Sequence, residues 1–190
     1  MILEAVITTL SPEGDAHIAP MGVHVLEEGL FGILPFRPSR TLDNLVATGV
    51  AVINYTDDAR IFAGCLTGRR SWPLIPSLKV HCVGLAQALS WDEVRVEGID
   101  DDPIRPRFRA RLVETRQLAP FKGLNRATMA VVEAAILVSR LSMLSDEKID
   151  REMAVLQSAV DKTAGPKEQE AWGWMVDAVA DYRAQRGEKE

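Results

Sequence analysis

The chain has 190 residues, 47% of them hydrophobic and 26% charged, with a formal net charge of −5. That apolar content suffices for one sizeable core, or for a core with a helical appendage. The acidic balance argues against a global electrostatic attraction to nucleic acid or an anionic membrane, though not against a local basic site, and two cysteines, Cys65 and Cys82, are too few for a disulfide scaffold.

The N-terminal "MILEAVITTL" is apolar but short, carries Glu4 and has no basic stretch ahead of it. It reads as a strand rather than a signal peptide. "SPEGD" (11–15) follows as a turn, residues 16–26 as a second strand, "EEG" (27–29) as a second turn and residues 30–35 as a third strand. A short helical pattern then runs to Gly49. "VAVINY" (50–55) is almost continuously apolar, the mark of a central strand. "TDD" (56–58) reads as a turn, residues 60–66 as a short strand, and the proline-bearing residues 68–77 as a surface loop. "KVHCVGLAQALSW" (79–91), "EVRVEG" (93–98) and "RFRARLVETRQL" (107–118) read as further strands. Six or more short strands with one small inserted helix predict a closed antiparallel barrel, which removes exposed edges.

After residue 120 the period changes. "NRATMAVVEAAILVSRLSML" (125–144) carries apolar residues at helical spacing. Residues 145–163 begin with Ser145 as N-cap and present Ile149, Met153, Leu156 and Val160 as a stripe. Gly165-Pro166 stops one helix and starts the next, 167–184, with Trp172, Met175, Val176 and Val179 on one side. The terminal "RGEKE" is expected to be solvated and frayed. The predicted organisation is a barrel over 1–120 and a helical subdomain over 121–190.

The stretch with the most chemistry is "FRPSRTLDNL" (36–45). Arg37, Ser39, Arg40 and Thr41 crowd one strand-to-helix junction. A helix start offers N–H groups without intrahelical partners and a partial positive charge, and arginine adds planar charged donors. An anion site and an ordinary capped helix beside Asp43 are both open readings. A second stretch, "HIAPMGVHV" (17–25), puts Pro20 and Gly22 inside a strand. Either a planar ligand approaches the main chain there, or a β-bulge turns a barrel corner.

Other residues have plainer readings. His17 and His24 differ in strand parity, and no CxxC or HExxH motif occurs, so no metal site is expected. His81 and these two are candidate acids or bases by type only, and no catalytic residue is assigned. Arg105, Arg107, Arg109 and Arg111 alternate along one strand and are expected to form a charged outer face balanced by Glu93, Glu97 and "DDD" (100–102). Trp172 and Trp174 are read as packing or an oligomer contact, and Trp72 and Trp91 as core or rim packing, with stacking on a planar ligand as their other reading.

Taken together, "APMGV" (19–23), "FRPSRTLDNL" (36–45), "VINYTDD" (52–58) and "LNRATMAVVEAAILVSRL" (124–141) resemble, in order and spacing, an uncharacterised archaeal and bacterial family of flavin-binding split-barrel proteins. Its superfamily includes the pyridoxamine-phosphate-oxidase-like and flavin-reductase-like proteins. The resemblance implies an α+β fold: a six-stranded antiparallel Greek-key split β-barrel followed by a C-terminal helical bundle. It also implies a homodimer with FMN near the interface. By the same resemblance Ser39, Arg40 and Thr41, helped by Arg37, hold the FMN phosphate, and Asn44 supports that loop or reaches the phosphate or ribityl chain. Met21, Gly22 and Val23 lie along the isoalloxazine edge. Asn54 adds a polar contact, and Asn125 and Arg126 close the pocket. The implied function is an FMN-dependent oxidoreductase of a small molecule, with NAD(P)H or another small redox partner binding transiently, since no GxGxxG loop is present. The alternatives are a flavin sensor or carrier without turnover, whose helical tail binds a protein partner, and a scaffold that has lost its ligand.

Overall fold

The computed structural model describes residues 1–187, and the last three residues of the "RGEKE" terminus lie outside the described residues. The chain divides into two units. One comprises residues 1–56 and 71–121, the other residues 57–70 and 122–190.

The first unit is a closed six-stranded barrel. Strands β1 (Ile2–Leu10), β2 (Ala16–Glu27) and β3 (Leu30–Ile33) form a meander, and helix α1 (Arg40–Thr48) follows. Strand β4 (Val50–Tyr55) returns to pair with β1, which gives the Greek-key order β4-β1-β2-β3. After a small hairpin, β5 (Leu74–Pro76) and β6 (Val83–Leu85), the long strands β7 (Ser90–Asp100) and β8 (Arg107–Gln117) complete the barrel. Strand β8 pairs with β3 and β7 with β4, all antiparallel.

The interior follows from strand alternation. Ala5, Ile7, Val23, Phe31, Ile33, Ala51, Ile53, Val94, Phe108 and Ala110 are buried in one cluster, with Leu42 and Leu45 of α1 packed into it. Strand β4 is apolar on both faces because both are covered. Ala51 and Ile53 face the interior, while Val50 and Val52 pack with Leu10, Trp91, Val80 and Cys82 under the β5–β6 hairpin. Pro20 does not interrupt β2. The β1–β2 register runs unbroken from Ile2↔His24 to Leu10↔Ala16, and β3 reaches only as far as His24, so the proline has no second ladder to break. The bulge in β2 lies instead between Val25 and Glu27.

The second unit consists of α2 (Ala59–Leu66), α3 (Arg126–Val138), a 3₁₀ turn (Leu141–Met143), α4 (Asp146–Thr163) and α5 (Pro166–Gly187). Ser145 caps α4 as its sequence predicts. Ala59 and Ala63 of α2 pack with Ala127, Ala130, Val131, Ala134 and Ala135 of α3, and with Trp172 and Met175 of α5. Small side chains here let helix axes approach closely.

Several expectations change. Residues 60–66 are a helix, not a strand: Asp58 accepts from the Arg60 N–H as N-cap, and the small residues behind it pack as a helical face. Residues 79–91 are not one strand but β6, a turn and the start of β7. The loop read over 68–77 contains β5. Helix α3 ends at Val138 rather than near 144, and Val176 is 43% exposed.

Candidate functional site

Helix α1 begins where β3 leaves the barrel. Ser39 adopts extended backbone and its Oγ accepts the Leu42 N–H at 3.3 Å, while its carbonyl accepts the Asp43 N–H at 3.1 Å. Such a cap contributes about 1 kcal/mol to the helix. At the other end Gly49 closes the helix in the left-handed region, φ 67°, with its N–H on Leu45 O. Among the described residues the N–H groups of Arg40 and Thr41 have no protein acceptor. They are donors at the positive end of the helix dipole, beside the exposed Arg40 side chain. This donor set suits a phosphate ester.

The neighbouring side chains are more committed than the sequence suggests. Thr41 is 2% exposed, so its main part in the junction is its N–H and its packing. Asn44 is buried, and its Nδ2 donates to Thr9 Oγ1 at 2.9 Å, which ties α1 to β1. Arg37 is half-exposed and pairs with Asp101 at 3.0 Å. Met21 and Val23 pack with the barrel interior, and Gly22 lies on the opposite face, where a Cβ would come within 2.7 Å of Ile2 Cγ2.

Asn54 belongs to the barrel wall. It is fully buried; its Nδ2 donates to Val6 O at 2.8 Å and Thr8 Oγ1 at 3.1 Å, and its Oδ1 accepts the Leu85 N–H at 2.7 Å. Its polar atoms therefore hold the β5–β6 hairpin rather than stand ready for a ligand. Asn125 and Arg126 belong to the helical unit. Asn125 caps α3, accepting from Ala127 N at 2.8 Å and donating to Thr163 O at 3.1 Å. Together with the exposed Arg126, it lines a groove of about 370 Å³ with Leu124, Met129, Val155 and Leu156.

The arginine stripe is partly on the barrel face and partly not. Arg109 pairs with Asp100, and Arg111 with Glu97 and Glu27, on the outer surface. Arg105 lies before β8, so it is not on the strand. Glu93 is not an outer-face charge: it is fully buried and accepts the N–H groups of Leu78, Lys79 and Val80.

Two groupings carry no signal in the sequence. The tip of the β7–β8 hairpin grips the segment before α1. Arg37 N donates to Ile104 O at 2.9 Å, Arg105 Nη2 donates to Leu34 O at 3.1 Å, and the Arg105 guanidinium lies 4.4 Å from the centroid of the Phe36 ring. Asp102 Oδ1 accepts the N–H groups of Ile104 and Arg105, which hold its carboxyl below the usual range. In the barrel, Tyr55 and Thr115 both donate to Asp92. Burial, then the Asp92 charge, pushes the Tyr55 phenol far up, so it acts as a donor and not a base. Cys65 and Cys82 are buried and pushed up to about 11, which removes them as nucleophiles at neutral pH. Among the described residues no group of three or more His, Cys, Asp or Glu side chains could hold a metal ion, and no helix is long and apolar enough to cross a membrane.

Two models of one family match the chain. The N-terminal domain model of the protein of unknown function DUF447 covers residues 3–119, and the second DUF447 model covers residues 125–177. The chain belongs to the DUF447 family. Among solved structures it is similar to an FMN-bound DUF447 protein from Methanosarcina mazei, at 17% identity over 93% of this chain and 94% of that one, with a TM-score of 0.78. It is also similar to the 2-nitrobenzoate 2-nitroreductase of Pseudomonas fluorescens, at 22% identity over 60% of this chain and 63% of that one, with a TM-score of 0.54. The styrene monooxygenase flavin reductase of Pseudomonas putida S12 follows at 16% identity, 63% of this chain, 83% of that one and TM-score 0.52. At these identities the likeness establishes the fold, a six-stranded split barrel with C-terminal helices. The M. mazei likeness extends through the helices.

Proposed function

We propose that this DUF447 protein binds FMN, with the 5′-phosphate at the N-terminus of α1, and works as a homodimeric oxidoreductase of a small molecule. The observation that carries the reading is the α1 junction: two N–H groups with no protein acceptor among the described residues, the Ser39 cap and the exposed Arg40, all at one helix start. The FMN-bound M. mazei relative, alike over almost its whole length, supports the choice of phosphate ester. The Ser39 hydroxyl and the Arg40 guanidinium complete the donor set, and Asn44 braces the helix from behind. A bound flavin supplies the redox chemistry; the chain supplies binding, orientation and access. NAD(P)H or another small reductant would dock transiently, since no dinucleotide-binding loop is present.

The test is a visible absorption spectrum of the purified protein, followed by FMN titration read by flavin fluorescence. Co-purified or tightly bound flavin supports the reading. No flavin and no binding leaves α1 as a capped helix and sinks it. A carrier or sensor without turnover is a second reading. It is favoured by the ionisable groups around the junction, where Arg37 and Asp101 are already paired and Asp102 already hydrogen-bonded. NAD(P)H oxidation by the flavin-loaded protein with an electron acceptor separates the two.

A further inference from the structure

The segment that delivers the chain into α1 is poorly packed. Phe36 is 59% exposed, and Arg37 and Pro38 are exposed too, so burial does little to fix residues 36–38. Yet the direction of the first N–H groups of α1 depends on how these residues enter the helix. What fixes them is the β7–β8 hairpin tip. The Arg37 N–H is bonded to Ile104 O, the Arg105 guanidinium to Leu34 O, the same guanidinium is stacked on Phe36, and Arg37 is paired with Asp101. The tip is itself held in shape by Asp102, whose Oδ1 accepts the N–H groups of both Ile104 and Arg105.

We infer that Arg105 is a positioning residue for the phosphate site: it clamps Leu34 and Phe36 so that α1 presents its N-terminal donors in a fixed direction. The inference rests on the α1-phosphate reading above. Arg105 is suited to the task because one planar group both donates to a carbonyl and stacks on a ring, which lysine cannot do equally well. The charge balance of the clamp also fits. Asp101 and Asp102 of the tip are offset by Arg105 and by Arg37 of the segment it grips, so the clamp as a whole carries no net charge beside the anion site.

The experiment compares FMN with riboflavin, which lacks the phosphate, in the wild type, Arg105→Ala, Arg105→Lys and Arg40→Ala. Affinities are read by flavin fluorescence, with thermal melting of each variant alongside. Loosening one charged, stacked contact is expected to weaken FMN binding about fivefold in Arg105→Ala, with riboflavin unchanged and Arg105→Lys in between. A role confined to stability would lower the melting temperature and leave the FMN-to-riboflavin ratio as in the wild type, and that result overturns the inference. If Arg105→Ala does not fold, the ratio in Arg105→Lys decides in the same way. A wild type with no preference for FMN overturns the α1-phosphate reading and this inference with it. A ratio that falls in Arg40→Ala but not in either Arg105 variant overturns this inference alone.

Discussion

Glu93 Oε1 accepts the Leu78 N–H at 2.6 Å, and its other oxygen takes the N–H groups of Lys79 and Val80. The carboxylate is fully buried, so those three bonds are what make its burial tolerable. It fastens the turn between β5 and β6 onto β7. Glu93→Ala leaves three N–H groups without their acceptor and is expected to cost about 3 kcal/mol, while Glu93→Gln keeps one acceptor and costs less. Urea denaturation of the three proteins checks the order. Equal midpoints would show that the carboxylate holds nothing.

Gly84 faces the indole of Trp91 on the same part of the barrel. A Cβ at Gly84 would come within 2.1 Å of the Trp91 ring, in a cluster where the ring itself is completely buried. The ring cannot yield without breaking the packing of Leu10, Val52 and Cys82. Gly84→Ala is therefore expected to destabilise by about 2 kcal/mol or more, the usual penalty for overpacking. Tryptophan fluorescence during thermal melting would report both the lower midpoint and any change around the indole.

The barrel was largely legible because strand alternation and turn chemistry are local. β1, β2 and β4 each carry their burial in their own pattern, and the Ser39 and Ser145 caps sit where their residue types put them. Residues 60–66 were misread because "RIFAGCL" is short and apolar, which suits a strand as well as a helix. The available signal was Asp58 as N-cap, with Ala59, Phe62, Ala63 and Leu66 recurring at helical spacing behind it. Glu93 was misread for a different reason. Its partners lie 13 to 15 residues away in a turn, and no local pattern marks a carboxylate that will collect distant N–H groups. At the candidate site the α1 junction was visible as a cluster of residue types. The clamp from Asp101 to Arg105 was not, since only the return of β8 beside β3 brings it to Phe36.

Arg40 is an exposed cation of the junction and, unlike Arg37, is not paired with Asp101, so phosphate affinity can be tested through it with little structural cost. Its first-turn position means that Arg40→Ala leaves the Ser39 cap and the helix N–H groups intact. Loss of one charge-assisted contact is expected to weaken FMN about tenfold and riboflavin hardly at all. Arg40→Lys keeps the charge without the planar fork and is expected to recover part of the loss. Thr41→Ala is a poorer probe, because Thr41 is nearly fully buried and its truncation also disturbs packing. Equal affinity in Arg40→Ala and wild type would remove Arg40 from the site.

Asp58 links charge to the stability of the helical unit. It caps α2, pairs with Arg60 at 2.7 Å and with Lys167 at 3.2 Å, and is 3% exposed. Burial by itself raises its pKa, but the hydrogen bonds from Arg60 and Lys167 and their charges outweigh that and hold it below the ordinary 3.8. A folded pKa below the unfolded one means that the native state binds its proton less readily. The stabilisation is therefore complete above about pH 4 to 5 and is lost as pH falls through the folded value. Asn caps a helix as well as Asp does, so Asp58→Asn removes the charge and spares the cap. At pH 7 it is expected to cost about 2 kcal/mol. The gap in melting temperature between wild type and Asp58→Asn should be full at pH 5, begin to shrink below about pH 4, and close only as pH falls through the folded pKa, which lies below 3.8. No gap at pH 7 would mean that the Asp58 ion pairs contribute nothing and that only its cap matters, and a gap unchanged by acid would mean that it does not arise from the charge.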